Sequence, residues 1–559
     1  MAMLCVPSSA CADAPPAPIA SEVTREIVAD KKLLHFPVHA GAAKRTVKIS
    51  AGGELVRSFD IELADGNADW WAPADVSAWT GKKLSVVVDA LPVGSKALDA
   101  LRLSDTLLGS ENLYREALRP QLHFSAKRGW INDPNGLAFF NGEYHLFFQH
   151  NPYGCAWGNM QWGHASSRDL VHWQEHGDVL YPDNMGPMFS GSAAVDWQNT
   201  SGFGQDGEPP LVLIYTAAGN PTTQCLAYTT DGRKVTKFAS NPVVKQITGG
   251  NRDPKVFWHA PTRKWIMVLY VGLPNPVGTK DAQGNPTTKH TIHFFTSPNL
   301  RDWTQASVTD GGTDGNRFLF ECPDFFELPV DGDASNKKWV ITAANSEYCV
   351  GTFDGTTFRP DSSKLAGVYG RGFYAAQTFS DIPDGRRIQI GWCQADSPNM
   401  PFNQLQSLPM ELSLRTTPNG LRIARQPVKE LTSLRDGPDQ AHSLTTVRAG
   451  LIELRAEFEP GDAGSVEFNL RGAKITYDAR KQELIVNDVH APAPLVDGRQ
   501  HIIVFVDRTM LEVFASDGLT YVPLPFIPKE EDQSITQEIK GGNARMTSLQ
   551  AYKLKSIWE

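Results

Sequence analysis

Five short apolar runs, rich in aromatic and β-branched residues, recur through the middle of the chain: Tyr144–Phe148, Leu211–Tyr215, Trp265–Tyr270, Lys338–Ala343 and Arg387–Trp392. Each is too short for a core helix. Each follows a turn signal: Asn141-Gly142, Gly207-Glu208-Pro209, Pro261-Thr262, Asp331-Gly332 and Asp384-Gly385. That pattern predicts the second strand of a hairpin. Before every turn lies another strand-like run, and these first strands open on polar residues. The openings are Trp130-Ile131-Asn132-Asp133-Pro134, Phe189-Ser190-Gly191-Ser192, Asn251-Arg252-Asp253-Pro254, Glu321-Cys322-Pro323-Asp324 and Phe373-Tyr374-Ala375-Ala376. A further signal recurs downstream: Ser167-Arg168-Asp169-Leu170 before Trp173, Thr229-Thr230-Asp231-Gly232 before Phe238, and Ser297-Pro298-Asn299-Leu300 before Trp303, with Phe353-Asp354-Gly355 before Phe358 a looser match. Repeats built from hairpins predict a propeller, because one four-stranded blade cannot bury both its faces alone. Five repeats predict five blades. The first strand of each blade lines a propeller's axis, so the five polar openings are expected to converge.

The flanks are also β in pattern, and the fold class is all-β. Residues 22–110 hold short alternating runs (Arg45–Ile49, Glu54–Ile61, Lys83–Val88) and predict a small N-terminal β module. The propeller is expected over 115–425. Residues 435–559 alternate again (Leu451–Phe458, Val466–Leu470, His501–Val506), predicting a C-terminal β-sandwich packed on the propeller. Residues 1–21 read as a tail or the remnant of an export signal: small residues around Ala10-Cys11-Ala12 precede a Pro/Ala-rich stretch, but no basic segment comes first.

Composition narrows the chemistry. A net charge of −9 disfavours nucleic acid or an anionic membrane as partner and is compatible with a neutral substrate. No apolar run is long enough to span a membrane as a helix. The seven cysteines form no CxxC pair, so neither a disulfide framework nor a zinc site is expected. Cys322 reads as a small buried filler. The chain has no HExxH, GxSxG or P-loop motif, which disfavours metal, serine-hydrolase and NTPase chemistry; no cofactor or metal is expected.

Three acids remain at blade openings: Asp133, Asp253 and Glu321. Glycosidic bond cleavage needs an acid for the leaving oxygen and a carboxylate for the oxocarbenium-like centre. Asp133-Pro134 and Asp253-Pro254 are pre-proline positions, biased to the extended geometry of a strand entrance. Arg252 beside Asp253 can hold acids ionised and orient hydroxyls.

The run Trp130-Ile131-Asn132-Asp133-Pro134-Asn135-Gly136 resembles the signature of glycoside hydrolase family 32, which holds invertases, inulinases, levanases and fructosyltransferases. Arg252-Asp253-Pro254 and Glu321-Cys322-Pro323-Asp324 resemble its other hallmarks in order, and Asp507–Phe514 resembles its sandwich-domain signature. The resemblance implies a retaining β-fructofuranosidase with Asp133 as nucleophile, Glu321 as acid/base and Asp253 as transition-state stabiliser. It implies Asn132, Gln149, Trp157, Phe189, Ser190, Arg252 and Trp392 as the fructose-binding subsite. Burial among carboxylates is expected to keep Glu321 protonated. The resemblance breaks at Gly372-Phe373, where many members carry an acidic residue before the aromatic. It also implies a fructan or fructosyl oligosaccharide partner and secretion or periplasmic export, in a bacterium. Exo-action on levan is the leading expectation. Endo-levanase, invertase, fructosyltransferase and a non-catalytic sugar-binding propeller are the alternatives. The N-terminal module resembles an accessory domain of some levan-acting members, and Asp69-Trp70-Trp71 reads as either a sugar platform or core.

Overall fold

A computed structural model describes residues 19–275, 280, 287–310, 318–437, 444 and 447–559. The proposed export signal, with Cys5 and Cys11, lies outside the described residues. The chain divides into two compact units, residues 1–110 and 111–559.

The first unit pairs a four-stranded sheet (Ile19–Val28, Lys83–Pro92, Lys44–Ala51, Glu54–Glu62) with a three-stranded one (Trp70–Asp75, Leu33–Val38, Arg102–Ser104). Its first strand begins three residues before the pattern implies. Alternating apolar residues from both sheets, among them Phe36, Val47, Ile49, Phe59 and Val86, are buried. Trp70 and Trp71 are half-buried at the start of their strand.

The second unit opens with five four-stranded antiparallel blades. Blade I runs from Gly129 to Leu180, blade II from Met188 to Lys237, blade III from Asn251 to Thr309, blade IV from Asp324 to Pro360, and blade V from Phe373 to Pro427. The five apolar runs are the second strands. They read as nearly continuous hydrophobic segments because each is covered on both faces by neighbouring blades. In blade II, Leu211, Leu213 and Tyr215 pack toward Phe147 and Trp162 of blade I. Val212 and Ile214, on the opposite face, pack toward Met267 and Leu269 of blade III. Blade III repeats the division, sending Ile266, Val268 and Tyr270 against Phe325 and Ile341 of blade IV. Leu412 and Leu414 of blade V meet Phe326 and Val340 of blade IV. Ile388 and Ile390 of blade V meet Ile131 and Phe148 of blade I, which closes the ring. Closure is reinforced by Phe402-Asn403, which pairs in parallel with Gly129-Trp130.

The recurrent downstream signal is an Asx turn between third and fourth strands. Asp169, Asp231, Asn299 and Asp354 each accept backbone N–H groups two and three residues on. The indoles of Trp173 and Trp303 then donate to the carbonyls of Leu170 and Leu300.

Two five-stranded sheets follow, spanning Ile452 to Lys553, with a shared core that includes Leu454, Phe468, Ile475, Val504 and Val513. Their signature residues act as a clamp. Asp507 accepts the backbone N–H groups of Gln121 and Leu122 and bonds His123 Nδ1 at 2.7 Å. Glu512 bonds His123 Nε2 at 3.1 Å and accepts the N–H of Leu408 at 3.0 Å. All three side chains are fully buried. The Asp507–Phe514 motif therefore ties the sandwich to both ends of the propeller.

Candidate active site

The inner strands carry their polar openings to one end of the propeller axis, and most of them depart from regular pairing there. Register breaks fall between Ile131 and Pro134, Met188 and Gly191, Arg252 and Lys255, and Tyr374 and Gln377. Asp253 (φ 64°), Glu321 (φ 54°), Cys322 (φ 39°) and Ala375 (φ 51°) occupy the left-handed region. Side chains rarely adopt that backbone, and clusters of it mark sites whose surroundings hold the strain. Gly191 is required by close approach: a Cβ there would lie 2.0 Å from the carbonyl oxygen of Ile214.

Asp133 accepts hydrogen bonds from Ser190 Oγ to Oδ2 at 2.6 Å and from Asn132 Nδ2 to Oδ1 at 3.1 Å. Asn132 is itself oriented by Trp130 Nε1 at 3.1 Å. Asp253 Oδ2 accepts the backbone N–H of Cys322 at 3.1 Å. The Cys322 thiol lies 3.5 Å from Oδ2 of both Asp133 and Asp253. Cys322 is thus more than filler: its thiol is the shared neighbour of two site carboxylates. Burial pushes that thiol well above its usual range, and the carboxylates add to the effect. It is an un-ionised donor.

Glu321 stands differently. Its Oε1 is gripped by Arg252 at 2.6 and 3.0 Å, and its Oε2 accepts the Tyr374 hydroxyl at 2.8 Å. Arg252 also stands 3.8 Å from Asp253 and lies over the rings of Tyr270 and Phe320. Glu321 is only partly buried. Its side chain is 24% exposed against 7% for Asp253, because it sits at the rim and faces a guanidinium. Burial shifts the two aspartates. It raises Asp133 above the ordinary carboxylate range against the pull of the Ser190 and Asn132 hydrogen bonds. It carries Asp253 up to about 7, with Arg252 opposing and Asp133 and Glu321 reinforcing.

The remaining sequence-predicted residues surround these acids. Trp157 is exposed and meets Phe189 edge-to-face at 6.0 Å. Trp392 is half-buried, edge-on to Trp130 and Tyr374, with its indole donating to Gln404 at 3.0 Å. Gln149 is buried, and neither Oε1 nor Nε2 has a hydrogen-bond partner. Tyr374 carries no role in the sequence pattern beyond its place at the opening of blade V, the one signal that points to it. The Gly372-Phe373 departure has a structural reason at Gly372: its backbone is left-handed at φ 74°, and a Cβ there would stand 3.1 Å from Pro525 Cγ of the sandwich.

A family model described as "Glycosyl hydrolases family 32 N-terminal domain" matches residues 123–427, and "Glycosyl hydrolases family 32 C terminal" matches 419–553. The chain belongs to glycoside hydrolase family 32. A levanase of Bacillus subtilis is 39% identical over 503 residues, covering 80% of this chain and 72% of its own length. An extracellular exo-inulinase of Aspergillus ficuum is 31% identical, covering 80% and 96%. The solved exo-inulinase of Aspergillus awamori superposes with a TM-score of 0.69 at 29% identity, over 80% of this chain and all of that one. As a family 32 member the chain is a glycoside hydrolase of the retaining, double-displacement kind.

Proposed function

We propose that this family 32 enzyme is an exo-acting β-fructosidase that releases fructose from fructans, with levan the preferred substrate, and that it acts outside the cell. The observation that carries the reading is the convergence of Asp133, Asp253 and Glu321, from three blades, around Arg252 and the Cys322 thiol. The preference for levan rests on the levanase relative and the N-terminal module; secretion rests on the extracellular relatives.

In this reading Asp133 is the nucleophile. Asn132 and Ser190 fix its carboxylate so that one lone pair is aimed at the anomeric carbon, forming a fructosyl-ester intermediate. Glu321 gives its proton to the leaving oxygen and then takes one from the attacking water. Arg252 and Tyr374 receive the carboxylate that Glu321 becomes as it releases its proton, so their hydrogen bonds strengthen in the transition state. Asp253 accepts hydrogen bonds from hydroxyls of the fructosyl ring. The unpartnered amide of Gln149 supplies a donor and an acceptor for another hydroxyl, and exposed Trp157, edge-to-face with Phe189, offers the fructosyl unit an aromatic face.

The test is a time course of products from levan, inulin and sucrose. Fructose alone at the earliest times, fastest from levan, is the expected result. A ladder of oligosaccharides would replace exo- with endo-action, new transfer products would make the enzyme a fructosyltransferase, and no turnover of any substrate would refute the reading.

A further inference from the structure

The second unit holds a cavity of about 410 Å³ that the hydrolytic chemistry does not use. It lies at the other end of the same inner strands. In blade III, Arg252 and Asp253 open the strand at the active site, while Phe257 and Trp258 near its far end line this cavity. Trp258 lies five positions beyond Asp253, about 17 Å of extended chain. In blade II, Ser190 bonds the nucleophile, whereas Ala194, Val195 and Trp197 line the cavity. Between the two, the axis narrows to a void of about 10 Å³ lined by Pro134, Gly191, Pro254 and Pro323. That is room for about one water, so the far cavity is not a back door to the catalytic funnel.

Its lining is aromatic and charged at once. Trp197 is 63% exposed, one of the few large hydrophobic side chains on this unit's surface among the described residues. It is nonetheless held in place: its indole donates to Asp381 Oδ1 at 3.0 Å, and Asp381 Oδ2 accepts the N–H of Val195 at 2.9 Å. Trp258 and Trp339 are half-buried in the same wall. Arg387 lies over the Phe326 ring, and its Nε is buried with no hydrogen-bond partner. A buried donor without a partner is costly to leave so, and here it borders an open cavity. The charges are mixed. Lys255 is paired with Asp324 at 2.9 Å, and Arg387 stands in the field of Asp324, Asp381 and Glu327. A free anion would meet these carboxylates, and a free cation would meet Lys255 and Arg387. A neutral ligand with hydroxyls and apolar C–H faces meets neither penalty; exposed Trp197 offers it an aromatic face, and the half-buried Trp258 and Trp339, packed on Trp265 and Phe325, add aromatic surface to the wall.

We propose that this far mouth of the propeller is a non-catalytic carbohydrate site that holds a segment of the fructan chain through Trp197, Trp258 and Trp339, with hydroxyls bonded to Asp381 and Arg387. It rests on the reading of the enzyme as fructan-acting. Its effect is to keep polymer at the enzyme between turnovers, because one molecule then engages two separate sites.

Binding and turnover test it separately. In the Asp133→Asn background, calorimetric titration with levan oligosaccharides is expected to show two sites per chain, and one after Trp197→Ala or Trp258→Ala. In the active enzyme, Trp197→Ala is expected to raise KM for levan polymer about fivefold or more while leaving kcat and KM for sucrose unchanged, which also shows the variant folded. A single site in both backgrounds overturns the proposal, as does an equal loss on polymer and sucrose. Failure of the fructan reading would show up otherwise, as absent turnover of every fructan with the second binding site still present.

Discussion

Replacing His123 should remove a pH-dependent part of the protein's stability without touching catalysis. The imidazole is fully buried between Asp507 and Glu512 at 2.7 and 3.1 Å. Burial alone would favour the neutral ring, but the hydrogen bonds and charges of the two carboxylates outweigh it and raise the pKa to about 9. Asp507 moves in the complementary direction: burial pushes it up, His123 and the Gln121 and Leu122 amides pull it lower, and the result lies below the usual range. The two shifts describe one ion pair and are not to be added. A folded-state pKa of about 9 against an ordinary 6.5 corresponds to about 3 kcal/mol at about 1.4 kcal/mol per pH unit. Because the folded pKa is the raised one, this stabilisation is complete below about pH 6.5 and is lost as pH rises through about 9. His150, raised to about 9 by Asp178 against the effect of burial, adds its own loss in the same window. The wild type alone therefore cannot isolate the clamp, and the difference between wild type and His123→Gln is the informative quantity. Denaturant unfolding followed by tryptophan fluorescence at pH 6.5 and at pH 9.5 should show wild type losing about 3 kcal/mol more than the variant. At pH 6.5 the variant should be weaker by about 3–5 kcal/mol, since it leaves two buried carboxylates without their cation. Equal pH dependence in both proteins would refute the charged-clamp reasoning.

Three further outcomes follow from the site. Asp133→Asn should nearly abolish turnover with unchanged circular dichroism and thermal midpoint; a variant keeping most of its activity would remove Asp133 from the nucleophile's role. Glu321→Gln should slow natural fructans by about 10²–10⁴-fold and a fructoside with an activated leaving group far less. Equal losses on the two would mean that Glu321 is not the acid. Gly191→Ala should lower both activity and thermal midpoint, because its Cβ would stand 2.0 Å from the Ile214 carbonyl and the strand bearing Ser190 must shift; wild-type kcat/KM in that variant would show that Ser190's position does not depend on the close approach.

The blades were readable from sequence because their second strands are covered on both sides. That burial writes continuous apolar runs such as Leu211–Tyr215 into the chain, and hairpin turns such as Asn141-Gly142 punctuate them. The acids were readable only with the help of resemblance, since an Asp-Pro pair alone is most often a turn. The local geometry that makes them a site left no trace in the pattern. In a regular strand neighbouring side chains point to opposite faces, so Arg252 and Asp253 could not both address the axis, nor could Glu321 and Cys322. The breaks in pairing and the positive φ values at Asp253, Glu321 and Cys322 remove that alternation. They let one short segment present a guanidinium and a carboxylate 3.8 Å apart, and the next a carboxylate and a thiol. The same departures explain why Cys322 reads as filler in the sequence and Tyr374 as an ordinary strand residue: neither type is unusual, and only the backbone's local turn brings them against Asp133 and Glu321. What holds that backbone in place is the packing of five blades around it, so the conspicuous apolar repeat and the inconspicuous strained openings are two parts of one requirement. The repeat supplies a rigid ring, and the ring is what allows left-handed residues to persist where the acids must meet.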